Sequence, residues 1–137
     1  MRTESENRTS FFRFEDLRIY GKALDYAKWL DGVIETIPSD VRQSTGLGFL
    51  KSAQSIALNI AEGSARNKSQ FIYYLKMAKS AVRECVVYTA MLNNVGVLNE
   101  ELNEYSRNSL MELTKMIGSL IASLQRSSSQ AHKGEDE

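Results

Sequence analysis

The chain has 137 residues, room for one domain with a sizeable core but not comfortably for two. Its 42% apolar and 25% charged side chains are those of an ordinary globular domain, and one proline with eight glycines is too little turn chemistry for an all-β protein of this size. Charge is balanced at 17 basic and 17 acidic side chains, which forces neither a nucleic-acid nor a membrane partner.

The N-terminal run MRTESENRTS is too polar for a signal peptide. No apolar run approaches the roughly 20 residues that span a bilayer. The single cysteine, Cys85, excludes an internal disulfide and fits a cytoplasmic setting. Three segments are expected: a flexible tail over 1–12, in which Phe11 and Phe12 are positioned to dock, a helical domain over 13–125, and a disordered polar tail over 126–137.

Helix 1 is predicted from about Glu15 to Ile37, through Leu17, Tyr20, Leu24, Ala27, Leu30, Ile34 and Ile37, with Pro38 setting its end. The stretch SDVRQSTGLG then reads as a loop. Helix 2 is predicted from about Leu47 to Ala65, with Leu50, Ala53, Ala57, Ile60 and Ala61 on one face, small enough for close packing. Asn67 followed by Gln70 is a capping-box pattern that opens helix 3. Phe71, Tyr74, Leu75, Ala78, Val82, Cys85, Thr89 and Leu92 line that helix to about Asn94, and Gly96 is placed to end it in a left-handed cap. Asn99 caps helix 4, with Leu98 as a staple, and the apolar positions continue to about Gln125. Long helices with short connections give an all-α fold, an antiparallel up-down four-helix bundle.

Helix 1 carries more apolar surface than one core stripe needs. Ile19, Tyr26, Trp29 and Val33 extend its apolar arc to roughly 200°, about twice the usual width. Cover by a neighbouring loop or tail would account for them; so would a subunit interface, which is the expectation carried forward.

Little in the chain offers catalysis. The one histidine, His132, lies in the polar tail, which removes histidine triads and histidine metal clusters. Cys85 sits mid-stripe as a small hydrophobe. The glycines of TGLG lack the lysine and Ser/Thr context of a phosphate loop. Glu100, Glu101 and Glu104 suit the positive end of a helix dipole. No catalytic residue, metal site, cofactor or small-molecule substrate is expected.

Two polar features remain. Ser55, Asn59, Glu62 and Arg66 share one stripe of helix 2, readable as a solvated face or as a contact site. From Arg66 to Arg83 there are five basic side chains and no acidic one. Lys68, Lys76, Lys79 and Arg83 fall within about 80° on the helix 3 wheel, with Tyr73 beside them. Such a stripe is either a solvated face or a track for a phosphate backbone, with Tyr73 available to stack on a base.

Phe14-Glu15-Asp16-Leu17-Arg18-Ile19-Tyr20, then Ser55-Ile56, Asn59-Ile60-Ala61-Glu62-Gly63 and Arg66, then Phe71, Tyr74-Leu75, Ala78, Ser80 and Glu84 resemble the motifs of the bacterial 23S rRNA intervening-sequence proteins. The resemblance covers about residues 13 to 125. It implies a closed four-helix bundle, a homo-oligomer of pentameric type, and a kinship with accessory proteins of diversity-generating retroelements, which bind a reverse transcriptase and RNA. It also makes Ser55, Asn59, Glu62, Gly63 and Arg66 a candidate interface, with Gly63 permitting close approach. The basic pair usual before the signature is here Leu50-Lys51, one charge fewer. The leading expectation is therefore a non-enzymatic, RNA-associated oligomer. A protein-binding scaffold without RNA contact is the alternative, and a hidden enzyme a distant third.

Overall fold

The computed structural model describes residues 13–136, with the backbone alone at residues 13, 16 and 128–136. The N-terminal tail over 1–12, including the docking of Phe11 and Phe12, lies outside the described residues. A 3-10 turn, Arg13–Asp16, leads into α1 (Arg18–Ile34). The other long helices are α2 (Leu47–Ser64), α3 (Lys68–Asn94) and α4 (Glu100–Asp136). No described residue is in a strand.

Local chemistry explains the two short connections. Asn67 accepts the Gln70 amide at 2.9 Å and Asn99 accepts the Leu102 amide at 2.9 Å, so each opens its helix as an N-cap. Between them, Gly96 takes φ 78, the left-handed conformation that ends α3. The amides of Val97 and Leu98 then return to the Leu92 carbonyl at 3.0 and 3.1 Å, and Leu98 is buried in the core.

The stretch after Pro38 is not the loop its sequence suggested. Ser39–Val41 is a helical turn, and Arg42–Gly46 is a π-helical turn that runs directly into α2. Pro38 stands before this run, where its missing N–H costs nothing, and Asp40 lies in its first turn. Gly46 and Gly48 are packing residues rather than turn residues. Gly46 is buried against Ile34 and Ile37, and Gly48 lies under the Tyr88 hydroxyl. The end of α4 also differs from expectation. Its helical backbone passes Gln125 and reaches Asp136, a stretch with no proline and only Gly134 to interrupt it.

The four helices form a ring in which α1 packs on α2, α2 on α3, α3 on α4, and α4 on α1. Contacts fix the directions. Gly63 meets Phe71 and Tyr74 beside the α2–α3 connection, while Gly48 meets Tyr88 at the far end. Thr89 meets Ser106 beside the α3–α4 connection, while Lys68 reaches Ser127 at the far end. Tyr26 meets Ser106, and Lys22 pairs with Glu112 one to two turns away. Consecutive helices are therefore antiparallel, an up-down bundle. Its core is Ile19, Ala23, Tyr26, Leu30 and Ile34 from α1, Phe49, Ala53, Ile56 and Ile60 from α2, Leu75, Ala78, Val82 and Cys85 from α3, and Leu110, Leu113 and Ile117 from α4. Among the described residues no helix is long and apolar enough to cross a membrane.

Candidate functional site

The described residues contain no group of three or more His, Cys, Asp or Glu able to hold a metal ion. The side chain of His132 lies outside the described residues. Cys85 is fully buried, and burial first, then the nearby Glu84 charge, pushes its thiol up to about 12. A thiol held that firmly protonated and away from solvent is not a nucleophile.

The α2 stripe is built largely from contacts within its own helix. The Asn59 amide donates to the Ser55 carbonyl at 2.8 Å and to Ser55 Oγ at 3.0 Å. Arg66 forms an ion pair with Glu62 one turn earlier, which raises its already high pKa. Its guanidinium carbon also sits 5.7 Å from the centre of the Tyr74 ring on α3. Gly63 is buried beneath that ring: a Cβ there would lie 2.6 Å from Tyr74 Cβ and 3.0 Å from Phe71 Cδ1. Gly63 and Arg66 thus hold α2 against α3 within one chain.

The basic face stands outward on α3. Lys68, Lys76 and Arg83 are exposed, and Lys79 is half-buried beside Val82, Arg83, Val86 and Thr114. Lys68 Nζ donates to Ser127 Oγ at 2.9 Å. The ion pairs between described residues that involve a named lysine or arginine are Lys22 with Glu112 and Arg66 with Glu62, so none of these four cations is matched by an acid. From Lys68 to Arg83 they span about 22 Å of helix. Tyr73 is 59% exposed at their edge, its ring edge-on to Tyr74 at 5.3 Å.

The α1 surface needs correction. Ile19 and Tyr26, expected on an outward oligomer face, are 5% and 3% exposed, inside the protomer's own core. Trp29 and Val33 are half-buried, and the Trp29 ring lies 4.6 Å from that of Tyr105 on α4. The wide apolar arc of α1 is real, but its middle faces the core, and these four residues lie there and on the α4 side. The outward part is the opposite flank, where Tyr20, Leu24 and Ala27 meet Ala57, Leu58 and Ala61 of α2 around an apolar groove. Leu58 is 68% exposed. Its neighbours one helical turn away, Gln54, Ser55, Ala61 and Glu62, are polar or small, and only its position beside Leu24 gives it meaning.

A family model described as 23S rRNA-intervening sequence protein matches residues 15–119. The chain belongs to this family. A crystal structure from Bacteroides thetaiotaomicron, described as a protein with unknown function from the S23 ribosomal protein family, has the same fold. It superposes with a TM-score of 0.71 at 22% identity, over 76% of this chain and 95% of that one. No curated protein matches the chain in sequence. In this intervening-sequence family member the matched span takes in α1, α2, α3 and α4 as far as Ser119. The Asn-Ile-Ala-Glu-Gly run falls at the α2–α3 seam, where Ile60 is core and Gly63 sets the spacing.

Proposed function

We propose that this protein is a non-enzymatic, RNA-associated bundle that works as a homo-oligomer and lays the outer face of α3 along a phosphate backbone. The observation that carries the reading is the set of four cations, Lys68, Lys76, Lys79 and Arg83, on one outward face without acidic partners among the described residues and with Tyr73 at its edge. The family description, which links its members to intervening sequences of 23S rRNA, supports RNA over another polyanion. Four cations per protomer make a weak site alone. A ring of copies multiplies it by raising the effective concentration of each further contact. A pentamer is the assembly that the family resemblance implies.

The test is binding to a structured RNA across a salt series. Neutralising four phosphates gives a slope of log K against log salt of about −3, and steeper in an oligomer. Lys76→Glu, Lys79→Glu and Arg83→Glu together are expected to abolish binding while leaving the helical spectrum intact. No binding at low salt, or binding indifferent to these changes, overturns the proposal.

A second reading has its own observation. Tyr73, Met77, Val87 and Met91 are all exposed on α3 and lie within about 80° of one another. That apolar stripe suits a protein partner, such as a reverse transcriptase, contacted without RNA. Partner capture that is insensitive to salt and lost in Met77→Asp with Met91→Asp would favour it.

A further inference from the structure

A groove of about 420 Å³ follows the α1–α2 seam. Ala27, Ala57 and Ala61 line it between two leucines, Leu24 and Leu58, that are 44% and 68% exposed. Among the described residues that line it, Gln54 is the only side-chain amide. A trough of small residues between leucine walls is shaped for inserted apolar groups, and left open it is surface that folded chains tend to cover.

The sequence supplies a cover at the right place. Phe14 is itself part of the lining, fixed by the 3-10 turn and set edge-on to Tyr20 at 5.0 Å. The residues just before it are Phe11 and Phe12, so three of the chain's five phenylalanines fall between 11 and 14, directly after the polar run Met1–Ser10. Chain geometry keeps the Phe12 α-carbon within about 7 Å of that of Phe14, and that of Phe11 within about 11 Å. Both residues are therefore tethered within reach of the groove, at an effective concentration that no free partner matches.

We infer that Phe11 and Phe12 of the same chain fill the α1–α2 groove, so that the segment before Phe14 straps the first two helices together from outside. The strap covers an apolar seam of the bundle. It leaves α3 as the face turned to a partner, and a second copy of the chain must displace it to dock on α1 and α2.

The test uses the full chain with labelled leucine methyl groups. With the rings docked, the Leu24 and Leu58 methyl signals are shifted upfield by ring currents. In Phe11→Ala with Phe12→Ala they are expected to move downfield, while the core signals of Leu30 and Leu110 stay in place. Unchanged Leu24 and Leu58 signals overturn the inference. Labelled double variant is then mixed with unlabelled wild type. Shifts that stay lost support docking within one chain. Shifts that return show that a neighbouring copy supplies the rings, and overturn the same-chain assignment.

Discussion

The phenol of Tyr26 and the hydroxyl of Ser106 lie 2.7 Å apart, buried between α1 and α4. Ser106 is also 2.8 Å from Thr89 Oγ1 on α3, and Thr89 donates to the Cys85 carbonyl at 2.7 Å. Each hydroxyl has one proton, so the direction of the chain is fixed. Thr89 has spent its proton on the carbonyl, Ser106 therefore donates to Thr89, and Tyr26 donates to Ser106. Three of the four helices meet in this relay, inside a largely apolar core. A slip of one residue in any of them would leave a buried hydroxyl without a partner, so the relay specifies register as well as adding stability.

Ser106→Ala is expected to cost more than Tyr26→Phe. The serine change strands the Tyr26 proton and removes the donor to Thr89, a loss of roughly 2–3 kcal/mol for buried unmet groups. Tyr26→Phe leaves every remaining proton with an acceptor and is expected to cost about 1 kcal/mol. Urea denaturation of the two single variants and the double variant checks this. The double variant should lose less than the two single losses combined, because both act on one network. A Tyr26→Phe loss equal to or larger than that of Ser106→Ala would sink the assigned direction.

Alkaline pH should destabilise the bundle through the same region. Burial holds the Cys85 thiol at about 12 against an ordinary 9.0. Burial, with a smaller contribution from Cys85, also raises the Tyr26 phenol above its ordinary 10.0, against the pull of the nearby Ser106 and Thr89 hydroxyls. Both folded values exceed the unfolded ones, so the unfolded chain releases these protons first. Stability is full below about pH 9 and falls as pH rises toward 12. Each group adds a slope of up to about 1.4 kcal/mol per pH unit within its window. Cys85→Ala should flatten the fall between pH 9 and 11, measured by chemical denaturation at each pH. An unchanged slope in that variant would exclude Cys85 as a source.

Some of this structure was legible in the sequence, and the divide is physical. Capping is local, so Asn67, Gly96 and Asn99 could be read from a few neighbours. Which half of a wide apolar arc is buried depends on the partner helix. In helix 1 the expected stripe holds at Leu30, Ile34 and Ile37 but also took in Leu17, Tyr20, Leu24 and Ala27, where Ile19, Ala23 and Tyr26 are the buried residues; in helix 2 it holds at Ala53, Ala57 and Ile60 but took in Leu50 and Ala61 and left out Phe49 and Ile56. Four of the misplaced positions, Tyr20, Leu24, Ala27 and Ala61, line the groove between the two helices, because that seam stays apolar to its outer rim. Gly46 and Gly48 were misread for a related reason: glycine serves turns and close packing alike. The basic stripe was legible as a pattern, since its members share a face, but its lack of acidic partners depends on neighbouring helices.

The two asparagine caps should behave alike. Asn67→Ala and Asn99→Ala each remove a 2.9 Å acceptor from a helix N-terminus and are expected to cost about 1 kcal/mol. Asn67→Asp keeps the acceptor and adds a charge that suits the helix dipole, so it should match or exceed wild-type stability. Thermal melts of the three variants decide. If Asn67→Asp is as destabilised as Asn67→Ala, the side chain does not act as a cap.

The glycines of α1 and α2 look alike in sequence and should respond to alanine in opposite ways. Gly21 lies at the end of the first turn of α1 with nothing within 4 Å of an added Cβ, so Gly21→Ala is expected to gain about 0.5–1 kcal/mol of helix propensity. Gly63→Ala gains the same propensity but drives a methyl to 2.6 Å from Tyr74 Cβ, an atom held by the α3 backbone. Relief requires α2 and α3 to separate along their seam, an overpacking cost of about 1–3 kcal/mol that outweighs the gain. Gly48→Ala is intermediate, because its 2.6 Å conflict is with the Tyr88 hydroxyl at the end of a side chain that can tilt. That tilt is opposed by the stacking of Tyr88 on Phe49 at 5.5 Å. The expected order of melting temperature is Gly21→Ala above wild type, then Gly48→Ala, then Gly63→Ala. Gly63→Ala as stable as wild type would mean that α2 and α3 do not pack as closely as Tyr74 and Phe71 place them.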